Sequence, residues 1–424
     1  MLRFASTPGD MRIDELRIAL FNYLIAKQRD EDFIVRIEDI DKKKNIEGKD
    51  QEIVDILGLF NIEYTQIIHQ SQNLKFHAAM ALQLLHEKKA FSCFCSDEWL
   101  ENKQKEAEAA NKIYSYDDAC RNLPAELVID NTAPFTVRII RPDGPVVVHD
   151  KIKDELCFDP DIIDSFVIMN QDKTSTYNFA TAVDDMLNDI SFVVCSENDI
   201  INTPKQIHVR NQLAYEKKIE YAHIPSFEIN GDVPTVTELL KEGYLPEAIS
   251  NYLILTGNKT PQEIFTLQEA QEWFNFETMS KSPISFDREM LQHINREHLK
   301  IMDPIELSRY VGFADADIGE LARVYLNDVY TTRELKEKIA PIFENRENIP
   351  ETFRESVTTI KEVIITAPYF DEYDAFKKYL FKETGIADEN IEIALRILLT
   401  NREDGPDIKD IYKYLKNYIG EIVK

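Results

Sequence analysis

Apolar residues near the start of the chain come in short unbroken runs. Leu2-Arg3-Phe4-Ala5 and Phe33-Ile34-Val35-Arg36-Ile37 each read as a strand covered on both faces, as in a parallel sheet. Between them, residues 15–27 place Leu16, Ala19, Leu20, Tyr23 and Leu24 on one face of a helix. Further helices are predicted over residues 47–57, stopped at Gly58, and over residues 76–88. Strand, helix, strand with short connections is the opening of a doubly wound α/β sheet.

The pattern changes over residues 91–170. Cysteines, acidic loops and short strands such as Phe135-Thr136-Val137-Arg138-Ile139-Ile140 and Pro145-Val146-Val147-Val148 suggest a module inserted between two halves of the sheet. The sheet is expected to resume at Ser165-Phe166-Val167-Ile168-Met169 and Ile190-Ser191-Phe192-Val193-Val194. From Thr235 onward nearly all of the chain has helical periodicity, with Pro283 and Pro304 as boundaries. Expected domains are therefore 1–90 and 165–234 for the α/β sheet, 91–164 for the insert, 235–300 for a first helical region and 301–424 for a helical bundle.

Size and charge narrow the picture. With 424 residues the chain is long enough for roughly two to four domains with cores of their own. No stretch has the length of a membrane span and no signal-peptide pattern opens the chain, so a cytoplasmic protein with no membrane partner is expected. Five cysteines provide no oxidised framework, and Cys157 and Cys195 are expected to be buried thiols. A net charge of −27 opposes bulk binding to nucleic acid and leaves only a local basic face for it. DNA is not an expected partner.

The opening Arg3-Phe4-Ala5-Ser6-Thr7-Pro8-Gly9-Asp10-Met11-Arg12-Ile13-Asp14-Glu15-Leu16-Arg17 resembles the N-terminus of the glutamyl-tRNA synthetase family of class I. Four more segments in the same order are similar to that family. They are Arg36-Ile37-Glu38-Asp39-Ile40-Asp41, Thr176-Tyr177-Asn178-Phe179-Ala180 with Asp184-Asp185, Asn202-Thr203-Pro204-Lys205-Gln206, and Glu242-Gly243-Tyr244-Leu245-Pro246-Glu247-Ala248. The resemblance implies an α/β fold: a class I synthetase Rossmann-like parallel sheet with an inserted α+β acceptor-binding module. All-helical stem-contact and anticodon-binding-like domains would follow. It also implies a glutamate pocket built from Arg3, Glu38 and Tyr177, with Cys195 standing where the family has an arginine.

Two departures bear on chemistry. Arg12-Ile13-Asp14-Glu15 stands where the family carries its histidine-rich ATP motif. Asp14 and Glu15 would set negative charge beside the phosphates, although acids in a first helical turn are also ordinary helix-dipole partners. After Tyr221-Ala222-His223-Ile224-Pro225 the family's lysine loop is missing, and residues 226–234 hold no lysine or arginine. Met279-Ser280-Lys281-Ser282 imitates that loop but lies too far along the chain, and reads as a structural turn. Activation of an amino acid is in-line attack of a carboxylate on the α-phosphate of ATP, and it needs fixed donors and cations. The departures therefore predict a degenerate paralogue, a pseudoenzyme that binds neither ATP nor Mg2+. It would act as a binding or regulatory protein on tRNA or a tRNA-handling protein, its acidic surface favouring a basic protein partner. Two alternatives stand beside this: a glutamate–tRNA ligase of residual or repurposed activity, and a non-catalytic tRNA-binding module.

Cys93-Phe94-Cys95 is followed by Tyr116 and Cys120. In relatives of similar appearance such residues hold a structural Zn2+, and the alternative is a metal-free knuckle of reduced thiols. Farther on, Lys409, Lys413 and Lys416 would share one helix face, either touching RNA or solvated.

Overall fold

Strand β1 (Leu2–Ser6) and strand β2 (Phe33–Ile37) pair in parallel, Leu2 opposite Phe33 and Ser6 opposite Ile37, joined by helix α1 (Ile13–Gln28). The structure, a computed structural model, describes residues 1–112, 114–228, 233–345 and 349–423. It divides into two units, Met1–Val236 with Leu253–Phe286, and Thr237–Tyr252 with Asp287–Lys424.

In the first unit, helix α2 (Lys49–Leu59) leads to β3 (Gln66–His69), and helix α3 (Leu74–His86) leads to β4 (Ala90–Cys93). Helices α4 (Asp97–Ala109) and α5 (Ala125–Ile129) precede β5 (Thr136–Ile139), β6 (Val146–Asp150) and β7 (Asp154–Phe158). Helix α6 (Pro160–Ile163), β8 (Val167–Met169), helix α7 (Tyr177–Leu187), β9 (Phe192–Ser196), helix α8 (Thr203–Gln212) and β10 (Glu220–Ile224) complete the sheets. The large sheet has seven strands in the order β3-β2-β1-β9-β10-β6-β7. All its pairs are parallel except β6 with β7. From β1 the chain builds outward to β2 and β3 and later returns on the other side as β9 and β10. The strand order thus reverses between β1 and β9, the place where open α/β sheets form their binding crevice.

Three local expectations are corrected. Residues 146–150, grouped by sequence with the insert, run in the large sheet as β6. Residues 167–169, expected to resume the large sheet, instead pair antiparallel to β5 in a three-stranded sheet β4-β5-β8. A short apolar run fits either sheet, and only long-range pairing chooses between them. Gly58 lies inside α2, which ends at Leu59.

Helix α1 is buried well beyond the face its periodicity marks. Asn22 donates to the Val194 carbonyl at 2.9 Å and accepts from the Val194 amide at 3.0 Å, clamping the helix to β9. Phe21 meets Phe274 at 4.8 Å between ring centroids. Arg17 is 1 % exposed and donates to the carbonyls of Leu253, Pro225 and Thr256. Buried donors without such partners would cost on the order of 1–3 kcal/mol each. Met279-Ser280-Lys281-Ser282 is a hydrogen-bonded turn, its Ser280 amide donating to Gly257 O at 2.7 Å. It leads into β12 (Ile284–Ser285), which pairs with β11 (Phe227–Glu228).

The second unit is helical among its described residues, with Asp287, Asp303, Asp315, Thr331 and Asp407 as side-chain N-caps. Gly319 permits the closest approach there, because a Cβ at that position would lie 1.8 Å from the Pro304 carbonyl oxygen. The expected basic face is largely neutralised: Lys409 pairs with Asp374 at 2.9 Å and Lys416 pairs with Asp371. Among the described residues no helix is long and apolar enough to cross a membrane.

Candidate active site

Where the strand order reverses, a cavity of 70 Å3 opens against the C-terminal halves of β1 and β9. Arg3 and Ala5 contribute from β1, Cys195 from β9, and Glu38 from the loop after β2. Tyr177 contributes from the start of α7, and Thr203 and Gln206 from α8. The structure therefore brings Arg3, Glu38, Tyr177 and Cys195 together, although 192 residues separate the first from the last in sequence. It adds Asp199, Thr203, Gln206 and Tyr221, which sequence reasoning left out. Thr203 and Gln206 lie within one of the resembling segments, which is the signal that could have found them.

Beneath the cavity runs a chain of buried charges. Arg3 Nε and Nη2 donate to Asp185 Oδ1 and Oδ2 at 2.7 and 3.2 Å. Asp185 Oδ1 also accepts from Arg36 Nη1 at 2.6 Å, and Arg36 Nη2 reaches Glu38 Oε1 at 3.1 Å. Burial raises the Asp185 carboxyl, but Arg3 and Arg36 outweigh it and hold the group down at about 2. Burial pushes the Cys195 thiol well up, so it faces the cavity as a neutral group. Among the described residues Arg3 is the one cation lining this cavity.

Asp184 and Asp185 are neighbours in sequence but serve different networks. Both are fully buried in α7. Asp184 faces away from the arginines and accepts from Gln70, Asn73 and His77, each at 2.8 Å.

Arg12, Ile13, Asp14 and Glu15 form the entry to α1. The Arg12 amide donates to Glu15 Oε2 at 3.0 Å, and the Glu15 amide donates to Asp14 Oδ1 at 3.2 Å. The Ile13 amide reaches Pro234 O at 3.3 Å, and Arg12 bridges antiparallel to Thr235. The Arg12 guanidinium lies on the Asp14 carboxylate, at 3.1 Å from Nε and 2.9 Å from Nη2. Burial pushes the Glu15 carboxyl above its ordinary range. The expected missing loop falls on residues 226–234, of which 229–232 lie outside the described residues.

A larger cleft of 750 Å3 adjoins the first, sharing Glu38 and Tyr177 with it. Lys42, Lys43 and Lys44 are exposed at its edge, and Thr7, Gln70 and Ser175 also line it.

Cys93, Cys95 and Cys120 bring their Sγ atoms within 4.8 Å of one another. The Tyr116 hydroxyl lies 3.4 Å from both Cys93 Sγ and Cys95 Sγ. Burial opposes the Cys93 thiolate, but hydrogen bonds from Tyr116 and the Cys95 backbone and the nearby Arg138 prevail and draw it down to about 7. Three convergent thiols suit a soft divalent ion. Cys157, expected to be buried, is exposed, and Cys195 is half-buried.

Comparison with known proteins decides the family. Residues 1–293 match the model for tRNA synthetases class I (E and Q), catalytic domain. The chain belongs to that family. Its members handle tRNA, which is therefore the expected class of partner for this synthetase-family chain. It is 57% identical to glutamate–tRNA ligase 2 of Sulfurimonas denitrificans and 46% identical to glutamate–tRNA ligase 1 of Nitratiruptor sp., each match covering 100% of both chains. A glutamate tRNA ligase from Elizabethkingia meningosepticum, solved in complex with its amino acid, superposes with a TM-score of 0.82 at 21% identity, covering 99% of this chain and 97% of that one. That likeness bears out the class I synthetase fold.

These findings overturn the expectation of a degenerate paralogue that works as a pseudoenzyme without ATP or Mg2+. Relatives of the same extent and high identity carry the name of the ligase. Asp14 and Glu15 are not two bare carboxylates beside a phosphate site. In the fold Asp14 is paired with Arg12, and Glu15 is tied to backbone and pushed toward its neutral form by burial.

Proposed function

We propose that this synthetase-family chain is a glutamate–tRNA ligase. It would join the glutamate α-carboxylate to the α-phosphate of ATP with loss of pyrophosphate. A ribose hydroxyl at the end of tRNA would then attack the acyl carbon, yielding the ester and AMP. Mg2+ would accompany the nucleotide. The observation that carries this reading is the end-to-end match to relatives so named, joined to one cavity that gathers Arg3, Glu38, Tyr177 and Cys195.

The residues divide the work. Arg3, held rigid by Asp185, offers positive charge to the carboxylates of bound glutamate, and Glu38 faces its ammonium group. The Tyr177 phenol stands between the two cavities, where amino acid and tRNA end would meet. Arg12 exchanges Asp14 for phosphate oxygens, a contact that guanidinium geometry favours. Positioning and charge neutralisation supply most of the rate in phosphoryl chemistry of this type.

The remaining regions take roles in line with the family. Residues 91–164 would meet the acceptor end, 235–300 the stem and 301–424 the anticodon region. Cys93, Cys95 and Cys120, with Tyr116 as a fourth group, would hold a structural Zn2+, and a chelator would then lower the melting temperature of the purified chain. The net charge of −27 also suits a basic protein partner.

The test is ATP–pyrophosphate exchange. Exchange that requires glutamate and rises with tRNA supports the reading. Background exchange at high enzyme concentration, with glutamate, tRNA and Mg2+ all present, overturns it.

A further inference from the structure

Behind the 70 Å3 cavity lie two hydrogen-bond donors that nothing in the fold uses, and both belong to one contact. On α8, Thr203, Gln206 and Arg210 fall at positions i, i+3 and i+7, so they share one face of the helix. Thr203 and Gln206 line the cavity, and Arg210 lies one turn beyond Gln206. Arg210 Nη2 donates to the hydroxyl of Tyr221, which is itself part of the cavity wall. Arg210 Nη1 is buried and meets no acceptor among the described residues. A guanidinium can only donate, so the Tyr221 oxygen is the acceptor in that contact and the phenol proton is left over. Burial raises the Tyr221 phenol, which therefore keeps that proton.

The charge of Arg210 is unmatched as well. Arg3 and Arg36 share the Asp185 carboxylate, and Arg36 also pairs with Glu38. Arg210 is 4 % exposed and has no carboxylate partner among the described residues. Its charge reaches the same cluster, because burial raises the Asp185 carboxyl while Arg3, Arg36 and Arg210 all lower it. Three buried cations therefore stand against two carboxylates. Asp199, also in the cavity wall, is half-buried and held by Asn202 at 3.1 Å. A buried cation without a counter-ion is strongly unfavourable. An anion bound in the adjoining cavity supplies the missing charge.

We infer that Arg210 is the second cation of this cavity and that, acting through the Tyr221 hydroxyl, it selects a substrate whose side chain ends in a carboxylate. The Tyr221 proton turns to that carboxylate while the phenol oxygen stays on Arg210. Tyr221 makes the contact, and Arg210 is a positioning residue that never enters the cavity. An amide in the same place brings no charge for Arg210 to balance, so glutamine is bound less well than glutamate. The identity of the substrate rests on the proposed ligation of glutamate; the unspent donors and the unmatched charge do not.

Three variants of the full chain test this by pyrophosphate exchange. Arg210→Gln should raise the KM for glutamate about thirtyfold and leave kcat and the KM for ATP within about twofold. Arg210→Lys, which keeps the charge, should fall between that variant and the native chain. Tyr221→Phe removes one oxygen and should raise the KM for glutamate about tenfold. Glutamine, read as an inhibitor of exchange, should bind Arg210→Gln as it binds the native chain. The melting temperature of ligand-free Arg210→Gln should not fall, because no ion pair is lost. A fall of more than about 5 °C would make Arg210 a structural residue, and Tyr221→Phe then still decides the role of the hydroxyl. Unchanged KM values for glutamate in Arg210→Gln and Tyr221→Phe, or equal losses for glutamate and glutamine, overturn the inference and leave the ligase reading standing. Calorimetry with glutamate alone separates the two: binding that Arg210→Gln weakens, without exchange, removes the ligase reading and keeps the cavity assignment. A native chain that neither binds glutamate nor exchanges removes both.

Discussion

The two ends of the candidate active site are held in opposite ways. Under the cavity lined by Arg3, Glu38, Tyr177 and Cys195, Arg3, Asp185 and Arg36 form a buried chain in which Asp185 is 0 % and Arg36 1 % exposed. At the entry to α1, the Arg12 and Asp14 side chains are 50 % and 34 % exposed, and their pairing is open to water. A buried pair cannot exchange partners without stranding a charge, whereas a solvated one exchanges at little cost. The contrast teaches where this chain tolerates departures from its family's pattern. The α1 entry carries its charges on the surface, and the helix behind it is well formed. In the buried chain, Arg3, Arg36 and Asp185 are tied to one another by hydrogen bonds of 2.6 to 3.2 Å.

The sharpest way to break that comparison is Asp185→Asn. It leaves Arg3 and Arg36 facing each other without a carboxylate, and should cost about 3–5 kcal/mol of stability in urea unfolding. A loss below about 1 kcal/mol would mean that the chain is not rigidly paired.

Acid gives a gentler probe of the same group. Its carboxyl is lowered from 3.8 to about 2 in the fold. The stability it contributes is therefore complete above about pH 4 and lost as pH falls toward 2, on the order of 2 kcal/mol. This slope should be missing from the unfolding free energy of Asp185→Asn.

Cys195→Arg sharpens the amino-acid side of the comparison. A second cation in a cavity that holds Arg3 alone should lower the KM for glutamate about tenfold, worth ~1.4 kcal/mol, as read by pyrophosphate exchange.

The smallest stability effect belongs to Arg12→Ala. An exposed pair of this kind contributes below about 1 kcal/mol, so the melting temperature should barely move. The KM for ATP should rise clearly if Arg12 meets phosphate, and equal KM values would remove it from that role.

Much of the fold was legible from residue order. The runs at 2–5 and 33–37 and the helix between them fall within two residues of their places in the structure, because a twice-covered strand and an amphipathic helix each have a period of their own. Less could be read where a segment's partner decides its role. Val167–Met169 fits either sheet, and Asn22 and Phe21 are covered by Val194 and Phe274, more than 150 positions away. The site divides in the same way. Arg3, Glu38, Tyr177 and Cys195 could be named from motifs, whereas Asp199 and Tyr221 enter the cavity only through the fold.

The sequence alone determined the period of each element, the family and the chemical type of each side chain, because these depend on near neighbours and on identity. Only the tertiary structure decided which charges are free to act. Asp14 looked like a bare acid and is paired. Asp184 and Asp185 are adjacent in sequence and face two networks. Charge interactions fall off with distance and grow with burial, and both quantities are fixed by contacts between residues far apart in the chain.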